Sequence, residues 1–106
     1  MKNICELNFI VIHGWMKSLL KLRGTELMVF AIIFGFTQDG TTEFCGGLKY
    51  LMEWTDASKP TIINTLKSLV DKKYLIRIDN VINNVNHVKY KVPTGLLLAL
   101  EKCSYI

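Results

Sequence analysis

Apolar and polar positions recur with one period over most of the chain and with another near its end. From about Thr25 to Thr37 nearly every position is apolar: Leu27, Met28, Val29, Phe30, Ala31, Ile32, Ile33, Phe34 and Phe36. This predicts a helix apolar all round, either the centre of a domain or shared with a partner. Glu26 supplies negative charge to its first turn, where the helix dipole favours it. Ahead of it, Asn8 to Ile12 (NFIVI) reads as a first strand broken by Gly14, and Trp15, Met16, Leu19 and Leu20 have a short helical spacing. Gln38 to Thr42 (QDGTT) is a loop with an Asp-Gly turn signal. Gly46 or Gly47 precedes a helix from Leu48 to Trp54, with Leu48, Leu51 and Met52 facing in and Trp54 closing its end.

Thr55-Asp56-Ala57 is a tight turn, and Asp56 is one of the few side chains that tolerate left-handed backbone. Ser58 suits an N-cap, and Pro60 falls in the first turn, where its missing N–H is harmless. The helix that follows runs to Lys72 or Lys73. It sets Ile62, Leu66, Leu69 and Val70 on one side and Lys59, Thr61, Asn64, Lys67 and Ser68 on the other. The period then changes to two. Tyr74 to Asn80 alternates as a strand, Asn83-Asn84 makes a hairpin turn, and His87 to Val92 alternates again. Val88, Tyr90 and Val92 share one face of that strand; His87, Lys89 and Lys91 share the other. Pro93 ends it, and Thr94 to Lys102, with Leu96, Leu97, Leu98, Ala99 and Leu100, is a last helix.

These elements predict an α+β chain, mainly α, in which a three-helix core is followed by a β-hairpin wing and an additional C-terminal helix: a winged helix-turn-helix. At 106 residues the reading is one domain, 1–106, with the helix pair at 47–72, the wing at 74–92 and the last helix at 94–103. Either the strand near residue 10 or an extended piece near Phe44 is placed to add a third strand to the hairpin.

Composition narrows the function classes. The longest apolar run, Leu27 to Phe36, falls short of the roughly 18 residues that span a bilayer. The opening MKNICELNF lacks the apolar block of a signal peptide. The three cysteines, Cys5, Cys45 and Cys103, are far apart and odd in number, so neither a disulfide framework nor a metal site is expected. The expectation is a reduced, cytoplasmic protein without cofactor or metal and not associated with membrane. His13 and His87 stand away from cysteines and carboxylates in sequence, and Gly46-Gly47 lacks the Lys-Ser/Thr of a phosphate loop. No catalytic residues and no enzymatic activity are expected.

Charge adds direction. From Ser58 to Val92 seven basic residues face two acidic ones, a balance of +5, whereas the rest of the chain holds six basic and seven acidic residues. The positive charge therefore lies on the second half of the helix pair and the hairpin, where it attracts a polyanion.

The stretch LMEWTDASKPTIINTLKSLVDKKYLI resembles the winged-helix signature of bacterial transcription regulators and of replication proteins of phages and mobile elements. Leu51, Glu53, Ser58, Thr61, Ile62, Leu66, Leu69, Tyr74 and Ile76 fall on its places. The stretch GWMKSLLKLRGTELMVFAIIFGFTQDG is similar to the start of helix-turn-helix proteins on low-GC Gram-positive elements. Two residues depart from the pattern: Asp56 stands where glycine or asparagine is usual, and Lys73 where glycine precedes the wing. The resemblance implies binding to double-stranded DNA and a role in transcription regulation or DNA replication.

Groove contacts are assigned to Lys59, Thr61, Ile63, Asn64 and Lys67, with Ser58 near a phosphate. Asn64 is the best base reader, because an amide pairs bidentately with adenine. Ile63 either touches a thymine methyl or, more simply, packs near the core. Lys73, Lys89, Lys91 and Arg77 are assigned to phosphates, and Lys72 is read as a solvated surface charge. The rival reading is a winged helix that binds protein rather than DNA. A homodimer through the first long helix or the C-terminal helix is expected from their surplus of apolar surface.

Overall fold

A computed structural model describes residues 10–37, 43–45 and 47–102. In chain order these residues form α1 (Gly14–Ser18), α2 (Gly24–Thr37), α3 (Gly47–Thr55), α4 (Lys59–Asp71), β1 (Ile76–Ile82), β2 (Val85–Lys91) and α5 (Thr94–Lys102). The chain is α+β and mainly helical, with an antiparallel hairpin after the helices, consistent with a winged helix.

The core forms around α2. Leu27, Val29, Phe30, Ala31, Ile32, Ile33 and Phe34 are all buried, which is why this segment shows no polar face in sequence. The chain itself covers most of the helix; Phe36 is the large side chain left exposed, at 45%. Thr37, buried at its end, donates its hydroxyl to the carbonyl of Ile33 (2.9 Å), so this buried hydroxyl has a partner. Trp15 and Met16 of α1, Tyr50 and Leu51 of α3, and Ile62, Leu66 and Leu69 of α4 close around it. Trp15 belongs to the core, edge-on to Phe30 and Phe34, and Trp54 packs half-buried against it. Tyr50 is more deeply buried than its helical neighbours Leu48 and Met52, both expected to face inward and both only half-buried.

The turn between α3 and α4 follows the expected chemistry. Asp56 takes the left-handed backbone, φ 57°. Thr55 ties the turn together: its hydroxyl donates to the carbonyl of Leu51 (2.8 Å) and accepts from the amide of Ala57 (3.2 Å). α4 ends in a second left-handed residue, Lys73 (φ 66°). There the amide of Tyr74 reaches the carbonyl of Leu69 and the amide of Lys73 that of Val70, each at 3.0 Å. This is the 6→1 and 5→2 pair of a Schellman ending, in which glycine normally supplies the positive φ.

The hairpin pairs Ile76 with Lys91 at its base and Ile82 with Val85 at its tip. Asn83 and Asn84 turn it with φ of 53° and 64°, as a two-residue type I′ turn requires. A third extended piece joins through Phe44, whose amide and carbonyl exchange hydrogen bonds with Tyr90 (2.6 and 3.0 Å). The strand expected at Asn8 to Ile12 is not formed at residues 10–12, where Val11 and Ile12 stand exposed; residues 8 and 9 lie outside the described residues, as does the loop 38–42. β-branched residues favour strands only where a neighbouring strand receives them, and Phe44 takes that place beside β2.

Candidate nucleic-acid interface

α4 is held by its ends and by one face. Ser58 is extended (φ −73°, ψ 161°), and its hydroxyl oxygen accepts from the amide of Thr61 at 3.4 Å. The Ser58 and Thr61 hydroxyls lie 2.9 Å apart, and Pro60 fills the first turn without needing an N–H partner. Ile62, Leu66 and Leu69, at most 3% exposed, anchor the inner face. At about 100° per residue this places Asn64 opposite the buried row, with Lys67 beside it. Lys59, Thr61, Asn64 and Lys67 are all exposed. Ile63 is half-buried on the flank toward the hairpin, where it lines a cavity with Lys67 and Arg77.

Ser68, expected on the polar outer face, is turned inward. Its hydroxyl donates to Glu26 Oε2 at 2.8 Å, while Lys72 Nζ meets Glu26 Oε1 at 2.8 Å. Lys72, read from the sequence as a solvated surface charge, is exposed and also pairs with Glu26. Glu26 of α2 grips the C-terminal half of α4 through two residues one helical turn apart, a spacing that puts both on one side of the helix. Neither partner is signalled by local sequence, because the contact joins residues 42 and 46 positions apart.

The hairpin register separates its cations. Arg77 faces the same side as its cross-strand partner Tyr90, together with Asp79, Asn86 and Val88. Lys89 and Lys91 share the other side with Ile78 and Ile76. The cavity toward α4 is lined by Arg77, Asn86, Val88 and Tyr90, so the structure brings Arg77 to Ile63 and Lys67 and keeps Lys89 and Lys91 on the opposite face. Once the turn is placed at Asn83-Asn84, this parity follows from sequence alone.

Ion pairs further divide the basic residues. Arg77 donates through Nε and Nη2 to Asp79 Oδ1 (3.2 and 3.1 Å), Lys89 lies 3.7 Å from Glu43, and Lys72 is held by Glu26. Among the described residues Lys59, Lys67, Lys73 and Lys91 have no acidic partner. Asn86 also donates to Asp79 Oδ1 (3.2 Å), and this bond with that of Arg77 holds the Asp79 carboxyl below its usual range. Burial raises the Tyr90 phenol above its ordinary value, so it keeps its proton. The wing tip is of a different kind: Val81, Ile82 and Val85 are 67%, 49% and 55% exposed, and the residues from Asn80 to Asn86 carry no charge.

Among the described residues no helix is long and apolar enough to cross a membrane, and no three His, Cys, Asp or Glu side chains gather to hold a metal. No curated protein matches the chain. The family model described as a helix-turn-helix domain matches residues 20–75, the span from the end of α1 through α2, α3 and α4 to the foot of the hairpin. Since that match covers more than half of the sequence and coincides with the helices just described, the chain belongs to the helix-turn-helix domain family.

Proposed function

We propose that this protein binds double-stranded DNA, with the outer face of α4 in the major groove and the hairpin on the adjoining backbone or minor groove. Within this reading Asn64 contacts a base edge, with Thr61 and Ile63 beside it. Lys59, Lys67, Lys73 and Lys91 hold phosphates, Ser58 lies near one, and Arg77 and Lys89 reach phosphate by exchanging their carboxylate partners. The observation that carries it is the exposure of Lys59, Thr61, Asn64 and Lys67 along one helix whose opposite face is locked in the core. An exposed polar face on a helix anchored by its other side, with lysines that have no acidic partner among the described residues, is the electrostatic and steric form a groove reader needs.

The role is the regulation of transcription or the initiation of replication on a phage-like or mobile element. Selection of bound sequences from a random duplex pool tests the reading. A recovered consensus is expected, and Asn64→Ala is expected to lower affinity for it by about 1–3 kcal/mol while leaving unrelated duplexes unaffected. An unenriched pool, or a consensus to which the variant binds as tightly as the parent, would count against it.

A second reading has an observation of its own. The uncharged, apolar wing tip is suited to a protein surface, as in winged helices that serve as interaction modules. Pairing of two chains through α5, whose Leu98 is 53% exposed, belongs to the DNA-binding proposal, since a two-fold DNA site matches a two-fold protein. Sedimentation of the full chain with and without Leu98→Glu separates dimer from monomer.

A further inference from the structure

The hairpin does not lie flat on α4. Between them is a cavity of about 390 Å³, toward the lower end of the roughly 300–1,000 Å³ typical of small-molecule sites. Its floor is apolar: Phe44, Leu51 and Leu66 are each at most 3% exposed. Val88 and Tyr90 form the hairpin wall, and Lys67 and Arg77 stand at the polar edge. The charge there is specific. Arg77 is neutralised by Asp79, which it meets at 3.1 Å, whereas Lys67 has no acidic partner among the described residues. The site therefore offers one uncompensated positive charge above an apolar floor.

We propose that this cavity binds a small organic monoanion, a carboxylate carrying a single aromatic ring or a branched aliphatic chain, and that its occupant draws Lys67 away from nucleic-acid phosphate. The apolar body replaces water against Leu51, Leu66 and Phe44, and the carboxylate pairs with the Lys67 ammonium. A neutral molecule of the same shape gains only the first of these, and a dianion leaves one charge uncompensated. The effect on DNA rests on the function proposed above; the uptake of the anion does not.

The test uses the full chain and 4-phenylbutyrate as probe, followed by amide-resolved NMR in the absence of DNA. Saturable shifts are expected at Gly47, Leu48, Val88 and Tyr90, with 4-phenylbutanamide binding about tenfold more weakly or worse, the loss that goes with a hydrogen bond to a charged group. Lys67→Met, a change at an exposed position, is expected to bind acid and amide alike. Leu48→Trp, which fills the cavity, is expected to bind neither while keeping a cooperative thermal transition. Acid and amide of equal affinity in the parent chain, or shifts that spread over the molecule without saturating, would overturn the proposal, and neither result depends on the variants folding. Saturating phenylbutyrate is also expected to weaken duplex binding by the parent and not by Lys67→Met; unchanged duplex affinity would overturn the link to Lys67. A chain that takes up the acid but binds no duplex would count against the nucleic-acid reading alone.

Discussion

Replacing Glu26 by alanine removes the polar contact that ties the C-terminal end of the candidate recognition helix to α2. Glu26 is 19% exposed at its side chain and lies 2.8 Å from both the Ser68 hydroxyl and the Lys72 ammonium. The bond from Ser68 reaches a charged, largely enclosed acceptor and contributes about 1.5 kcal/mol. The Lys72 side chain is 45% exposed, so its pairing is screened by water and contributes about 0.2–1 kcal/mol. Glu26 also sits in the first turn of α2, where its charge offsets the helix dipole by about 0.3–1 kcal/mol. Ser68 recovers part of the loss by turning its hydroxyl to a carbonyl of its own helix. The net expectation is a destabilisation of about 2 kcal/mol, read as a lower urea midpoint with an unchanged slope. Lys72→Ala is expected to cost no more than about 1 kcal/mol. A double-mutant cycle of Glu26 and Ser68 should return a coupling of roughly 1 kcal/mol, since the two are in direct contact. Equal losses for Glu26→Ala and Lys72→Ala, with no coupling to Ser68, would show that the carboxylate merely decorates the surface and that packing alone positions α4.

Other perturbations probe other joints of the structure. Lys73→Gly removes a side chain from left-handed backbone at the end of α4 and should stabilise the chain by about 1 kcal/mol, a rise of roughly 4–8 °C in melting temperature; a fall would mean that the Lys73 side chain makes contacts that outweigh the strain. The Asp79 carboxyl should titrate below its ordinary 3.8. Its folded value is depressed, so its contribution to stability is present above the unfolded value and is lost as pH falls through the folded one. In Asn86→Ala, and likewise in Arg77→Gln, the midpoint, followed by carboxyl NMR, should move up toward 3.8. An unchanged midpoint in Asn86→Ala would remove Asn86 from that network.

α4 was legible because it buries one face at helical spacing, and α2 because it is apolar all round. Ile62, Leu66 and Leu69 needed only their spacing, and Ser58 and Pro60 gave the start of α4 from backbone chemistry alone. Asp56 and the Asn83-Asn84 pair announced left-handed backbone for the same reason. What sequence did not show is held by long-range contact. Ser68 reads as part of the polar outer face until Glu26, brought close by the fold, turns it inward. Residues 10–12 carry strand propensity but no partner strand. Of the candidate contacts, Lys59, Thr61, Asn64 and Lys67 needed only the α4 pattern, whereas the cavity beside Lys67 depends on how far the hairpin stands from the helix, which no local pattern encodes.

The salt dependence of binding to a duplex of arbitrary sequence, measured by fluorescence anisotropy on the full chain, bears most directly on the role of α4 and the hairpin. Lys59, Lys67, Lys73 and Lys91, none with an acidic partner among the described residues and each neutralising one phosphate, give a slope of log affinity against log salt near −3.6 per chain, or a loss of about 150-fold between 50 and 200 mM. A slope of that size that shrinks by about one on Lys67→Met is the expected result. No binding at low salt, or binding that salt leaves unchanged, would contradict it.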